Sequence, residues 1–274
     1  MHRLRDGTTL PPVGFGTYPL RGPEGVEAML SALEVGYRYL DTAVNYENEQ
    51  EVGEALRRSG LPREEVLVAT KIPGRSHERS AAVDSVEQSL ERLGLDRVDV
   101  ALVHWPNPSR GRYVEAVEAL LECRERGLVR FVGTSNYTAG HLREVIEATG
   151  EAPVLNQVEC HPLFPQSELI EVHEQLGVLT QAWSPLGKRQ AQYDADPVAG
   201  AAARTGASPA QVILRWHLQR GVMPLPKSAT PERQRANLDL LDLELTGDEV
   251  AAITALGRPD GRLFDGDPET HEEM

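Results

Sequence analysis

A chain of 274 residues and 30.1 kDa has room for one large α/β domain or two small ones. With 40% apolar and 26% charged residues its composition is that of an ordinary globular protein, and a net charge of −14 with a pI near 5.1 argues against nucleic acid or an anionic membrane as partner. No apolar run reaches transmembrane length, Met1-His2-Arg3-Leu4-Arg5 lacks a signal-peptide core, and Cys123 and Cys160 stand too far apart in sequence to suggest a disulfide framework or a zinc site, so the cytoplasm is the expected location.

The first predicted element is a hairpin, Arg3–Arg5 and Thr8–Leu10, with Asp6-Gly7 fitting a tight primed turn. A short strand candidate follows at 14–17, and from there strands and helices alternate. The remaining strands are expected at 37–41, 66–69, 98–103, 129–132, 154–158, 178–182 and 222–225, which makes eight. Between them Val26, Met29, Leu30 and Leu33 share one helical face, as do Val83, Val86, Leu90 and Leu93, and again Val114, Val117, Leu120 and Leu121. Thr138, Ser167, Asp196, Ser208 and Thr230 are expected to cap helices, and Thr246 with Glu249 forms a capping box for a last helix over 247–256.

Near-continuous apolar strands suit a sheet covered on both faces. Eight of them alternating with helices predict a (β/α)8 TIM barrel with an N-terminal β-hairpin and extra helices, a single domain over 1–274. A doubly wound sheet is the alternative. The Gly-, Pro- and Asp-rich stretch after Leu256 has no periodicity and is expected as a loop or lid over the barrel mouth.

The residues that close the strands are Asp41, Lys71, His104, Ser135-Asn136, Asn156-Gln157, Trp183-Ser184 and Lys227-Ser228. Polar residues at strand ends can be mere solvation of a rim, but in a barrel all of these converge on the C-terminal mouth, where such folds keep their chemistry. Arginine supplies nearly all the positive charge; the only lysines are Lys71, Lys188 and Lys227. A chain so biased that keeps lysine after two strands points to a compact ammonium there.

Tyr46, on the loop after Asp41, completes a candidate group. A free phenol titrates at about 10, too high to help a carbonyl accept hydride at neutral pH. A neighbouring ammonium from Lys71 favours the phenolate and would lower that value, Asp41 would partner the buried cation, and His104 could orient the carbonyl oxygen. No metal constellation is present, since Cys160-His161 has no second pair at ligand spacing.

Along nearly its whole length the chain resembles the aldo-keto reductase family, on the ordered runs Gly14-Phe15-Gly16-Thr17, Asp41-Thr42-Ala43 with Tyr46, Lys71, His104-Trp105-Pro106, Gly133-Thr134-Ser135-Asn136, Asn156-Gln157-Val158-Glu159-Cys160-His161-Pro162 and Pro226-Lys227-Ser228. Ala182-Trp183-Ser184-Pro185-Leu186-Gly187 and Asp260-Gly261-Arg262 are most similar to its bacterial 2,5-diketo-D-gluconate reductase-like branch. The resemblance implies NADPH-dependent reduction of small-molecule aldehydes or ketones, with Tyr46 as proton donor, Lys71 and Asp41 tuning it and His104 orienting the substrate. It assigns Gly16, Thr17, Ser135, Asn136, Gln157, Trp183, Ser184, Leu186, Gly187, Lys227, Ser228, Thr230, Arg233 and Asn237 to the cofactor, and Tyr18 and Trp105 to the substrate. A monomer without nucleic-acid or membrane partners is expected.

The residues themselves add that Gly14-Phe15-Gly16 lacks the third glycine of a Rossmann fingerprint, so phosphates must be met by loops and a helix N-terminus. Leu186-Gly187-Lys188-Arg189 suits a pyrophosphate, and Lys227, Ser228, Thr230 and Arg233 suit a 2′-phosphate. Ala236 departs from the family, which usually has an acidic residue there. The short loop 105–113 suggests an open pocket, on which Arg110 and Arg112 are solvated charges or carboxylate guides. Two other readings are a nicotinamide-binding regulatory subunit of the same fold and a sugar-phosphate isomerase; the second leaves Trp183 and Gln157 without a role.

Overall fold

The computed structural model describes residues 1–264 and 266–274. Strands β1 (His2–Arg3) and β2 (Thr9–Leu10) pair antiparallel, His2 opposite Leu10. Their connection is not the primed turn expected from Asp6-Gly7. The Leu4 N–H donates to Thr8 C=O (2.8 Å), the Gly7 N–H to Leu4 C=O (3.0 Å), and only Gly7 is left-handed, with φ 86°. The Asp6 carboxylate explains this. It accepts from the N–H (2.8 Å) and the hydroxyl (2.9 Å) of Thr8, a local turn that leaves the left-handed position to glycine alone.

Eight parallel strands follow: β3 (Phe15–Gly16), β4 (Tyr39–Asp41), β5 (Leu67–Ile72), β6 (Val98–Val103), β7 (Val129–Ser135), β8 (Leu155–Glu159), β9 (Leu179–Trp183) and β10 (Met223–Pro224), each paired with the next in chain order. The ring closes where Gly14 N–H donates to Pro224 C=O (3.1 Å) and Gly16 N–H to Pro226 C=O (3.2 Å). Glycine is required at this seam: a Cβ on Gly16 would stand 2.9 Å from the Leu225 carbonyl oxygen. The architecture is therefore the closed (β/α)8 barrel rather than the doubly wound sheet.

Helices α1 (Gly22–Val35), α2 (Glu49–Ser59), α3 (Arg79–Leu93), α4 (Tyr113–Glu125), α5 (Ala139–Thr149) and α6 (Ser167–Leu176) follow β3 to β8 one for one. After β9 come α7 (Asp196–Thr205) and α8 (Pro209–Gln219), and after β10 come α9 (Pro231–Leu238) and α10 (Gly247–Thr254). Thr138, Ser208 and Thr246 cap as expected, each in a reciprocal box. Ser167 and Asp196 do not. They are already helical, and the boundary residues are Gln166, whose amide donates to Glu159 C=O (3.0 Å), and Ala195. Thr230 is at the boundary of α9 but its side chain caps nothing.

Two strands outrun their apolar patterns. β5 and β7 continue through Thr70-Lys71-Ile72 and Gly133-Thr134-Ser135, because each polar side chain there finds a partner: Thr70 on Glu49 (2.5 Å), Thr134 on Asn156 (3.1 Å), Ser135 on Gln157 C=O (2.9 Å). Along β6 the faces alternate. Ala101 and Val103 join the layer under the helices, while Val100 and Leu102 fill the barrel with Tyr39, Phe131, Leu155 and Met223. A filled interior leaves only the ends for chemistry. Residues 257–264 and 266–274 cross the C-terminal end without regular structure, held where Arg258 N–H meets Leu163 C=O (3.0 Å) and Leu263 N–H meets Glu159 Oε1 (2.6 Å). No helix among the described residues is long and apolar enough to cross a membrane.

Candidate active site

Asp41 ends β4 opposite Ala69 of β5, so Lys71, two residues on, points the same way. The Lys71 ammonium donates to both Asp41 oxygens (2.9 and 2.8 Å), to Thr42 C=O (3.0 Å) and to the Tyr46 hydroxyl (3.2 Å). Lys71 is 0% exposed and Asp41 4%. Burial alone would pull the lysine down, but Asp41 and then Tyr46 more than reverse this, and it ends above its usual range. Asp41 is further held by the Gln157 amide (2.7 Å).

Tyr46 closes a single 3-10 turn, Val44–Tyr46. Its phenol does not end up lowered, as the charge of Lys71 alone suggests. Burial raises it most, Lys71 pulls it back, Asp41 pushes it up again, and the balance lies above the ordinary value. Tyr46 therefore holds its proton at neutral pH, the state a proton donor needs. The turn is braced from behind. Thr42 donates to Asn48 Oδ1 (2.5 Å), whose Nδ2 donates to Thr17 Oγ1 (3.1 Å), while the Thr17 hydroxyl donates to Asp41 C=O (2.9 Å).

His104 follows β6, its ring 5.7 Å from that of Tyr46 at 76°. Asn136, left-handed at φ 61°, donates to His104 C=O (2.9 Å) and accepts from the Trp183 indole N–H (2.8 Å). That link fixes the indole at the end of β9 beside the mouth.

These residues line one end of a cleft of about 1660 Å³. It contains Gly16, Tyr18, Asp41, Tyr46, His104, Trp105, Asn136, Gln157, Trp183, Ser184 and Leu186, and runs on to Lys227, Ser228, Arg233 and Asn237. Lys71 stands behind Tyr46. Thr17, Ser135, Gly187 and Thr230 lie outside the lining: Thr17 braces β4, Ser135 is buried on Gln157, Gly187 precedes the 3-10 turn Lys188–Gln190, and the Thr230 hydroxyl meets that of Ser228 (3.4 Å). Lys227 and Arg233 have no carboxylate within salt-bridge distance among the described residues. Arg110 and Arg112 do not reach the cleft; Arg110 donates to Gly74 C=O (3.0 Å) and Arg112 to Glu115 (3.4 Å). Nor is the loop 105–113 open, because the last segment packs on it, His271 against Trp105 with ring centroids 4.2 Å apart.

Three contributors have no counterpart in the sequence reading. Lys188 lies over the rings of Tyr18 (5.7 Å) and Phe264 (4.7 Å), so Phe264 forms part of a bridge across the cleft. A phenylalanine, one of only four in the chain, in an otherwise polar aperiodic stretch was the available signal. Tyr193 lines the cleft beside Arg233, and Glu273 approaches His104 from the last segment. Among the described residues no three His, Cys, Asp or Glu come together as a metal site.

The sequence profile of the Aldo/keto reductase family matches residues 12–258. 2,5-Diketo-D-gluconic acid reductase B of a Corynebacterium species is 52% identical over 271 residues, covering 99% of this chain and 97% of its own. An aldo-keto reductase of Mycolicibacterium smegmatis is 42% identical over 268 residues, covering 97% and 96%. Among solved structures, an aldo/keto reductase from Brucella melitensis superposes with a TM-score of 0.88 at 38% identity, covering 93% of this chain and 98% of that one. A Bombyx mori aldo-keto reductase in complex with NADP does so at 0.87 and 33%, covering 93% and 92%. The match runs through all eight barrel strands and through the ends that carry Asp41, Tyr46, Lys71 and His104, and the chain belongs to the aldo/keto reductase family.

Proposed function

We propose that the protein reduces the carbonyl of an aldehyde, ketone or keto-sugar with NADPH, Tyr46 giving the proton. The observation that carries this reading is the Tyr46 hydroxyl, 3.2 Å from an ammonium that is itself clamped on Asp41, at the wall of a cleft whose far end is basic. When bound, NADPH supplies the hydride. The cleft fits such a dinucleotide: Trp183 offers an aromatic face at the reacting end, while Lys227, Ser228 and Arg233 gather at the start of α9. The backbone N–H groups of Glu232 and Arg233 are uncapped by Thr230, as a phosphate-binding helix start requires.

Each catalytic side chain then has a defined task. Tyr46 donates its proton to the carbonyl oxygen. Lys71 stabilises the phenolate left behind, and Asp41 holds the ammonium in place with Gln157 at its back. His104 borders the same space and orients the carbonyl. The diketo acid named for the Corynebacterium relative makes keto-sugar acids the first class to try.

The test follows NADPH consumption with keto-sugar acids, methylglyoxal and aromatic aldehydes, alongside NADPH quenching of Trp183 fluorescence. Turnover with at least one class, falling by about 10²–10⁴-fold in Tyr46→Phe, is expected. Quenching without turnover on any class would instead favour a cofactor-binding regulatory protein.

A further inference from the structure

Among the described residues one acid, Glu273, lies within salt-bridge distance of His104. Its Nδ1 is buried and lies 2.9 Å from Glu273 Oε1, outside the angle of a straight hydrogen bond, and no other protein group reaches that nitrogen among the described residues. The His104 ring borders the cleft, whereas Glu273 is absent from the lining. The carboxylate therefore stands behind the imidazole, not in the way of a substrate. Catalytic hydrogen bonds are often misaligned before substrate binds, so the off-line approach is compatible with a working contact.

Glu273 is itself held from three loops. The Asn45 amide, after β4, donates to Oε1; Gly74 N–H, after β5, donates to Oε2 (3.1 Å); and the Asn107 amide, after β6, donates to the Glu273 C=O. A Cβ on Gly74 would collide with the Glu273 carbonyl, so that glycine is matched to the strap. Burial works against the charge of Glu273, but His104, Gly74 and Asn45 outweigh it and keep the carboxyl below its usual range.

We propose that Glu273 is a positioning residue for the reaction: it fixes the ring of His104 and accepts the Nδ1 proton, so that Nε2 faces the substrate oxygen. The proposal rests on the assignment of His104 above. The chemistry follows from the two ring nitrogens being distinct. A carboxylate at Nδ1 demands a proton there, whichever state Nε2 takes. Orienting the carbonyl belongs to the doubly protonated ring, in which Nε2–H donates to the carbonyl oxygen and Glu273 balances the charge.

Other charged groups nearby are already engaged. Tyr46 faces His104 with Lys71 and Asp41 behind it, as described. From the β5 turn, Arg75 is turned onto Asn45 (2.7 Å), and His77 is buried and held neutral, pushed down to about 4 by burial. From the neighbouring loop, Arg110 is on Gly74, and from the last segment Glu272 is on Ser109 N–H (2.9 Å).

The experiment begins with the ring-nitrogen NMR shifts of His104 in the ¹⁵N-labelled wild-type chain without cofactor or substrate, assigned by their loss in His104→Asn. The proton is expected on Nδ1. A neutral ring with its proton on Nε2 would overturn the proposal even if no variant folds. In Glu273→Gln the Nδ1–H signature should be lost or mixed, and kcat should fall about ten- to a hundredfold while NADPH affinity holds. Glu272→Ala, which cuts the adjacent strap contact, should move neither quantity. Unchanged ring shifts in Glu273→Gln, or an equal effect from Glu272→Ala, would reduce Glu273 to a strap. Because the ring shifts are read without turnover, failure of this proposal is separable from failure of the reductase reading.

Discussion

Tyr46 is pulled two ways, and the balance decides its role. Burial keeps the phenol protonated while Lys71, 3.2 Å away, favours the anion that forms as the proton leaves. Replacing Tyr46 with Phe removes the proton and little volume, so turnover should fall by about 10²–10⁴-fold with NADPH affinity retained; near-full activity would move the acid elsewhere. Lys71→Met removes the downward pull, so the alkaline fall in kcat/KM that marks loss of the Tyr46 proton should move to higher pH. An unchanged profile in an active Lys71→Met would sink that role. The same change strands Asp41, 4% exposed, without its cation, which should cost about 3–5 kcal/mol in urea unfolding. At this scale the grouping of Asp41, Lys71 and His104 was legible because apolar strands that end in complementary polar types leave a pattern, and Tyr46 because it stands on the loop that directly follows Asp41. Glu273 was not. A single carboxylate in an acidic, aperiodic stretch has no spacing to read, and its partners lie on three loops far away in sequence.

The elements divide in the same way. Helices with reciprocal caps, such as α5, α8 and α10, could be placed from sequence because a cap is a local bond. The ends of β5 and β7 could not, since Lys71 and Ser135 remain in their strands only by virtue of partners on neighbouring ones. Element α9 carries the most direct consequence for function. Arg233 sits in its first turn, where positive charge opposes the helix dipole, and among the described residues no carboxylate lies within salt-bridge distance to offset the cost. Thr230 leaves the first N–H groups open. A phosphate docked there satisfies both, a neutral ribose hydroxyl neither. Arg233→Ala should therefore weaken NADPH by about ten- to a hundredfold, the loss of one charge-assisted bond of roughly 1.5–3 kcal/mol, and leave NADH nearly unaffected. Titrating both cofactors against Trp183 fluorescence checks this; equal losses would mean that Arg233 supports the loop and not a phosphate.

For the whole molecule, two electrostatic effects compete as pH falls. The chain carries −14 at neutral pH, so acidification toward its pI relieves repulsion among surface carboxylates. Against this stand three histidines buried in the neutral form. Burial pushes His77 and His173 down to about 4 and His217 to about 3. His173 shows how the neutral ring is held: it is placed between the Asn156 amide (3.0 Å) and the Thr180 hydroxyl (2.8 Å), so Asn156 donates to Nε2 and Nδ1–H donates to Thr180. A second proton on Nε2 would confront the Asn156 N–H. His217 uses Nε2–H on Pro185 C=O (3.0 Å) and leaves Nδ1 buried without a partner among the described residues, with Arg220 and His161 nearby to oppose a charge. Unfolding releases all three rings to titrate near 6.5, so between there and about 4 the unfolded chain binds more protons and stability must fall with pH. Each ring contributes on the order of 1 kcal/mol per pH unit in that window. Diffuse surface repulsion is screened over about 8 Å at physiological salt, so the buried rings should dominate. Urea unfolding at about 0.15 M salt is expected to show a steady loss of unfolding free energy from neutral pH to pH 5, although the net charge is shrinking. A stability that rises toward the pI would mean that the three rings titrate in the folded protein much as they do in the open chain.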